Sequence, residues 1–315
     1  MKRWLAGVTL LGLLGAVAAG WLCRDNLRAR YYARQLLAAS DADAAGWIER
    51  GGEWGSGVPD RLIDVLATED ATACSRAAAA LARLGAADRL AERFTHLSPE
   101  GWRAALECVA AAADRPEAAA AARQLVRPAL QHADTGVRLR AAALALRPEV
   151  GQAELLVPLL KDSSAEVRRT AVLAVGPSRN LIADDDLLHW LHDPDPDVRR
   201  LTETALRSRG LRAVDVRMGR LLTDPRPAAR LELLGLLRDD GQLDLSAWLG
   251  RLCEDSAPAV RAAAARLAVE QQVFQLADRL AQMAQADPDL TVRQTVRYHL
   301  AQLQAPVRPA GATQP

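Results

Sequence analysis

The chain has 315 residues, half of them apolar and a quarter charged, a balance that excludes wholesale disorder and can bury a large core. Its formal net charge is +1, so no global field draws it to nucleic acid, and its low aromatic content of 4% suits close-packed helices better than sheets. The four cysteines, Cys23, Cys74, Cys108 and Cys253, form no CxxC and no metal-ligand spacing, which argues against a disulfide framework and for small buried thiols.

Residues 1–3 form a short basic start, with Lys2 and Arg3. Residues 4–23 then carry no charge over a length that crosses a ~30 Å hydrocarbon layer as a helix. Trp4 and Trp21 stand near its ends, where amphipathic rings favour the interface. The run predicts an uncleaved single-pass anchor in the inner (cytoplasmic) membrane. The alternative is a signal peptide cleaved near Ala16-Val17-Ala18, which would secrete the rest and leave Trp21, Leu22 and Cys23 as an apolar stub. Trp21 and Leu22 occupy positions where a lipoprotein box needs small residues. The short basic tail predicts export of the remaining chain, whereas Arg24, Arg28, Arg30 and Arg34 argue for a cytoplasmic-facing domain. The expectation is an extracytoplasmic domain.

Residues 24–58 are expected to form an N-terminal cap. Leu27, Tyr31, Arg34 and Leu37 have helical spacing over 26–39, and 41–50 forms a second helix with Trp47 and Ile48. The stretch 51–57, GGEWGSG, lacks the Lys-Ser/Thr of a phosphate loop and reads as a turn. From 59 to 304 helices alternate with short breaks, with predicted helices at 59–68, 74–84, 86–97, 100–113 and 117–131. The phase tightens from Val137 onward, and 290–304 ends the array. Residues 305–315 hold three prolines and no apolar period, and are expected to be a disordered tail.

One stretch recurs through the second half. Asp193 begins DPDPDVRRLTETAL, and related copies begin at Asp162, Asp224, Asp255 and Asp287, in steps of 31, 31, 31 and 32 residues. An arginine follows each aspartate by six positions: Arg168, Arg199, Arg230, Arg261 and Arg293. Such a period marks a stacked helical array. Within each copy an apolar stripe falls at i, i+4, i+7 and i+8. Its members are Val137, Ala141, Leu144 and Ala145; Val167, Ala171, Ala174 and Val175; Val198, Thr202, Ala205 and Leu206; and Val260, Ala264, Leu267 and Ala268. One hairpin cannot cover its own stripe, so each needs its neighbours. The aspartates should cap helices, and Pro194, Pro196, Pro225, Pro227, Pro258 and Pro288 sit where a missing N–H costs little. The arginines should reach a turn carboxylate of their own or the next repeat, as an exposed ladder worth at most ~1 kcal/mol per pair.

The pattern D-x-x-x-x-V-R-x-x-A-x-x-A-L resembles HEAT repeats, in the short form of about thirty residues named after phycobilisome lyases. The match is strong from Asp134 to about Leu303 and weaker over 59–131. The resemblance implies an all-α, right-handed α-solenoid whose second helices line a concave, partner-holding face. It transfers a fold and no catalytic residue.

Candidate chemistry is sparse. His189 and His192, beside Asp184, Asp185, Asp186 and Asp193, have the residue types of a divalent-metal site, but the turn role already accounts for Asp193. Asp193, Asp195 and Asp197 imitate the start of a calcium loop that lacks its glycine and its final glutamate. No motif pairs a Ser or Cys with His and an acid. No cofactor, metal or catalytic residue is therefore expected. The sharper candidate lies on the second helices. Asp186, Arg217, Trp248 and Arg279 form one row, and His189, Arg220, Arg251 and Gln282 the next. Core rows are Leu187, Met218, Leu249 and Leu280, then Trp190, Leu221, Leu252 and Met283. The polar rows read either as a basic ridge with an exposed Trp for an acidic protein or peptide, or as an ordinary solvated face. The expected partner residues are Arg217, Arg220, Trp248 and Arg251. The expected function is a membrane-anchored, non-catalytic scaffold with no small-molecule substrate. Chromophore-lyase and nucleic-acid-binding readings are the alternatives, opposed by the anchor and the near-neutral charge.

Overall fold

The computed structural model describes residues 24–239 and 244–304. The expected anchor at 4–23 and tail at 305–315 lie outside the described residues. Among the described residues every regular element is helical, and no helix is long and apolar enough to cross a membrane. The chain divides into two compact units, one ending at Gly176 and the other starting at Pro177.

Unit 1 opens with α1 (24–38) and α2 (Asp41–Glu49), and Ser40 caps α2 by accepting the Asp43 N–H. A 3-10 turn, Gly51–Trp54, joins them to α3 (Val58–Val65). There follow α4 (Ala71–Leu84), the single turn α5 (Leu90–Arg93), α6 (Pro99–Ala111), α7 (Pro116–Leu130), α8 (Thr135–Ala145) and α9 (Ala165–Val175). The punctuation is chemical. Asp70 accepts the Thr72 and Ala73 N–H groups to start α4, and Gly85 ends it at φ +74°, a left-handed turn that suits glycine. Ser98 starts α6 by accepting the Gly101 N–H. A Cβ on Gly101 would lie 1.7 Å from the Leu66 carbonyl oxygen, so the start of α6 can sit against the end of α3 only with glycine there. The first helices α4, α6, α8 and α9 pack in series, each on the next.

Two expected second helices come out differently. Residues 86–97 break into a 3-10 turn Ala87–Arg89, then α5, then a second 3-10 turn Phe94–His96. Between α8 and α9 the second element, Ala153–Lys161, is 3-10 throughout. Pro158 lies within it and contributes no N–H.

Unit 2 contains α10 (Asp184–Leu188), which continues as a 3-10 turn His189–His192, then α11 (Pro196–Ser208), α12 (Ala213–Leu222), α13 (Pro227–Asp239), α14 (Leu245–Leu252), α15 (Pro258–Glu270), α16 (Ala277–Ala286) and α17 (Leu290–Gln304). Pro196, Pro227 and Pro258 are the first residues of their helices. The first helices α13, α15 and α17 pack one on the next, while α12, α14 and α16 each pack against the first helix that follows.

The apolar stripes are the seams. Val137, Val167, Val198 and Val260 are all 0% exposed, as are Ala141, Ala171 and Ala264. Each fully buried Val or Leu supplies about 1.5–3 kcal/mol, and the small alanines let neighbouring helices approach. In α9 the fourfold pattern is shifted: Ala174 is half-buried, and Val172 takes the enclosed position instead.

The recurring aspartates do not cap the helices. Asp162, Asp193, Asp224, Asp255 and Asp287 each accept the N–H two residues on, from Ser164, Asp195, Arg226, Ala257 and Asp289. These bonds tighten the turn before the helix. The side-chain caps come one step later, from Asp195 on Asp197 and Val198 and from Asp289 on Thr291 and Val292. The reason is reach: a carboxylate two residues ahead of the cap position spans the turn and not the first helical amides.

Candidate partner-binding surface

The arginines fix the spacing between hairpins before any partner is considered. Each turns its Nη1 back onto the carbonyl at the head of its own copy. Arg168 reaches Asp162 at 2.9 Å, Arg199 reaches Asp193 at 2.7 Å, Arg230 reaches Asp224 at 2.6 Å and Arg261 reaches Asp255 at 2.8 Å. Arg293 makes the same bond to Asp287. The other edge of the guanidinium points forward. Arg230 Nε and Nη2 donate to the two Asp255 oxygens at 2.6 and 2.9 Å, and Arg261 donates to Asp287 at 2.9 and 2.8 Å. One arginine thus joins its own turn to the carboxylate of the next.

These rungs are buried, unlike the exposed ladder expected. Arg230 and Arg261 are each 8% exposed. The Arg261 guanidinium holds the Asp287 carboxyl below its usual range, and Asp287 in turn raises Arg261. Two further rungs lie in unit 1. Arg138 forks onto Asp162 at 2.8 Å through both Nε and Nη2, and Arg103 pairs with Asp134 at 2.9 Å. Sequence reading missed Arg138, although Val137-Arg138 repeats the Val167-Arg168 dipeptide and carried the signal. At Asp224 the pattern changes: Arg226, two residues along, takes both its oxygens at 3.1 and 2.9 Å. That contact pulls the Asp224 carboxyl down to about 2.

The second helices of unit 2 carry the polar rows. Of their core rows, Leu187, Met218, Leu249 and Leu280 are all buried, whereas in the second row Leu252 and Met283 are buried and Trp190 and Leu221 only half-buried. Among the polar rows, Arg217, Arg220, Arg251 and His189 are exposed. Trp248 is half-buried and packs against the core around Leu249, Leu252 and Leu280, so it is less exposed than the row pattern implies. Its wide ring covers apolar surface that a smaller side chain would leave open.

The ridge is also less basic than its sequence. Arg251 pairs with Asp185 at 2.6 Å, Arg220 with Glu203 at 3.2 Å and Arg279 with Glu254 at 3.5 Å. Among the described residues Arg217 has no carboxylate partner. The Arg251–Asp185 contact brings the end of α14 over the start of α10. Beneath it opens a shallow cleft of about 280 Å³, lined by Asp185, Leu188, His189, Leu222, Thr223 and Arg251. Gly219 lets α12 lie close against α10, since a Cβ there would lie 2.4 Å from the Leu188 side chain. The cleft offers one cation, one exchangeable anion, an imidazole and an apolar floor.

The histidine–aspartate cluster does not converge. His192 Nε2 meets the Arg220 carbonyl at 2.8 Å, and Asp184 pairs with Arg179 and with the buried Arg209. Asp195 is engaged as a helix cap. Among the described residues no group of three His, Cys, Asp or Glu side chains is placed to hold a metal ion.

A family model described as HEAT repeats matches residues 124–207. No curated protein matches the chain. Solved structures similar to it include a designed armadillo repeat protein, 19% identical over 56% of this chain and 98% of that one, with a TM-score of 0.35. An engineered protein from a structural genomics consortium is 22% identical over 57% of this chain and 89% of its own, with a TM-score of 0.36. A second engineered protein from the same source is 17% identical over 88% and 94%, with a TM-score of 0.29. The serial helical hairpins and the HEAT match over 124–207 define a helical-repeat protein.

Proposed function

We propose that this chain is a membrane-tethered, non-catalytic scaffold of short HEAT-like repeats that holds an acidic protein or peptide segment on unit 2. The tether is the uncharged run 4–23, and the repeats face away from the cytoplasm. Helical-repeat surfaces of this kind serve protein binding, which supports the general reading. The observation that carries the site is the cleft between the ends of α10, α12 and α14, where Arg251 rests on Asp185 at 2.6 Å. Both partners of that ion pair are about half exposed, so the pair is worth little in water and exchanges readily. An incoming carboxylate takes Arg251 from Asp185, a second finds Arg217, and the Trp248 edge supplies an anchor of the type found in binding hot spots.

The test is crosslinking and pull-down of the full-length protein from its own membranes. Arg220→Ala, Trp248→Ala and Arg251→Ala together should abolish capture. Because Trp248 also supports the core, Arg217→Glu with Arg251→Glu is the fold-sparing variant, and it should lower recovery of the same partner at least ~10-fold through charge reversal. Unchanged capture by both variants refutes the site.

A further inference from the structure

We propose that the outer side of α1, together with Trp54, seats on the anionic headgroup layer of a lipid bilayer. The inference rests on the tether reading, which puts the residues after 23 beside a membrane.

Helix α1 has two apolar sides. Ala29, Tyr32, Ala33 and Leu36 are buried in unit 1. On the other side Leu27 is 62% exposed and Tyr31 51% exposed, one helical turn apart. The Trp54 ring lies 5.5 Å from Tyr31. Arg28 fixes it there: its Nη2 donates to the Glu53 carbonyl at 3.0 Å, and its guanidinium lies 6.0 Å from the centre of the Trp54 ring. The result is a small apolar and aromatic patch on the outside of the first helix to follow the uncharged run. Tyr and Trp, with apolar bodies and polar edges, concentrate at membrane–water interfaces.

The charges around the patch select the kind of surface. Arg30 and Arg34 are exposed, and among the described residues neither pairs with a carboxylate. With Arg61 they rim a groove of about 510 Å³ whose apolar side is formed by Leu37 and Val65; Asp64, the one carboxylate in its lining, is paired with Arg61 at 3.1 Å. A cationic rim above an apolar wall complements a lipid phosphate joined to its acyl chains. A folded protein partner would need no such nearness to residues 4–23, whereas a bilayer does. At 1.5 Å per residue, Leu27 stands ~4.5 Å beyond Arg24 along α1 and Tyr31 ~10.5 Å, against a headgroup layer of roughly 5–8 Å. Contact by Tyr31 and Trp54 therefore requires α1 to slant toward the surface.

Hydroxyl-radical footprinting of the full-length protein in nanodiscs tests this, with oxidation of Tyr31 and Trp54 read by mass spectrometry. Phe274 is 74% exposed in unit 2 and serves as the dose control. Each arginine near an anionic surface contributes on the order of a fivefold shift in docking. In phosphatidylglycerol discs, Tyr31 and Trp54 of the unaltered protein should oxidise at least about fivefold more slowly than in the Arg30→Glu/Arg34→Glu variant, with Phe274 unchanged. Equal oxidation of the two proteins, or equal protection in phosphatidylcholine discs, overturns the proposal while leaving the tether standing. A protein that washes out of the discs in alkaline carbonate refutes the tether, and the proposal with it.

Discussion

Asp287→Asn is a direct perturbation of a rung. Asparagine keeps the oxygen that accepts the Asp289 N–H at 2.9 Å, so the turn before α17 survives. It replaces the second oxygen, which takes Arg261 Nε at 2.9 Å, with an NH2 group that meets another donor. Arg261 is then left charged and 8% exposed without a carboxylate beside it, keeping its Nη2 bond to the surviving oxygen at 2.8 Å and the Asp255 and Ser256 carbonyls at 2.8 and 3.2 Å. Breaking one side of a buried pair costs about 3–5 kcal/mol, and the three remaining acceptors favour the lower end. Stacked hairpins open locally, so the loss appears first in α17, whose contacts include α15 and α16. At about 3 kcal/mol, amide exchange in Leu290–Gln304 should accelerate by roughly a hundredfold, read by hydrogen–deuterium exchange of the full chain. Arg200→Ala supplies the contrast, because its pair with Asp197 is 3.4 Å long and its side chain is 70% exposed. That change should move exchange less than about threefold. If Asp287→Asn proves as mild as Arg200→Ala, the rungs do not hold the stack together.

Three further outcomes are expected. Gly101→Ala forces a Cβ to within 1.7 Å of the Leu66 carbonyl, which backbone cannot yield cheaply, so the thermal midpoint of unit 1 should fall by the equivalent of at least ~3 kcal/mol in calorimetry. The Asp224 carboxyl should titrate near 2 by carbon NMR, below its ordinary 3.8. Because the folded value is depressed, its contribution to stability is complete above the ordinary value and disappears as the pH falls toward 2; Arg226→Ala should return the midpoint toward 3.8. Tyr32→Phe removes the bond from the buried phenol to the Trp47 carbonyl at 3.0 Å and should cost about 1–2 kcal/mol in denaturant titration, without changing partner capture on unit 2.

The repeat was legible because its physics is periodic. Valine followed by arginine recurs in α8, α9, α11, α15 and α17, with alanine four residues after the valine in α8, α9 and α15, where a first helix must bury one stripe and send one guanidinium to a turn. Val198, Thr202, Ala205 and Leu206 lie in the seam where their spacing places them. Phase was readable without knowing what each residue touches. The identity of the touching groups was not. Arg261 and Asp287 are 26 positions apart, and the 31-residue step left open whether an arginine reaches its own turn or the next, whereas the fork does both. Likewise the step predicts Arg199 for Asp224, yet Arg226 is nearer and takes both oxygens.

The candidate surface separates along the same line. Sequence alone placed Arg217, Arg220, Trp248 and Arg251 on one side of successive helices, because side-chain direction along a helix depends only on local geometry. Tertiary structure decided their state: Glu203 and Asp185 neutralise two of the arginines, and the core draws in part of Trp248. Those outcomes depend on side chains 17 and 66 residues away in the chain, Arg220 to Glu203 and Arg251 to Asp185. The sequence therefore determined which residues share a helix face, since a short-range rotation per residue sets it. Packing between hairpins decided which of those charges remain free, since that is a matter of distance in space.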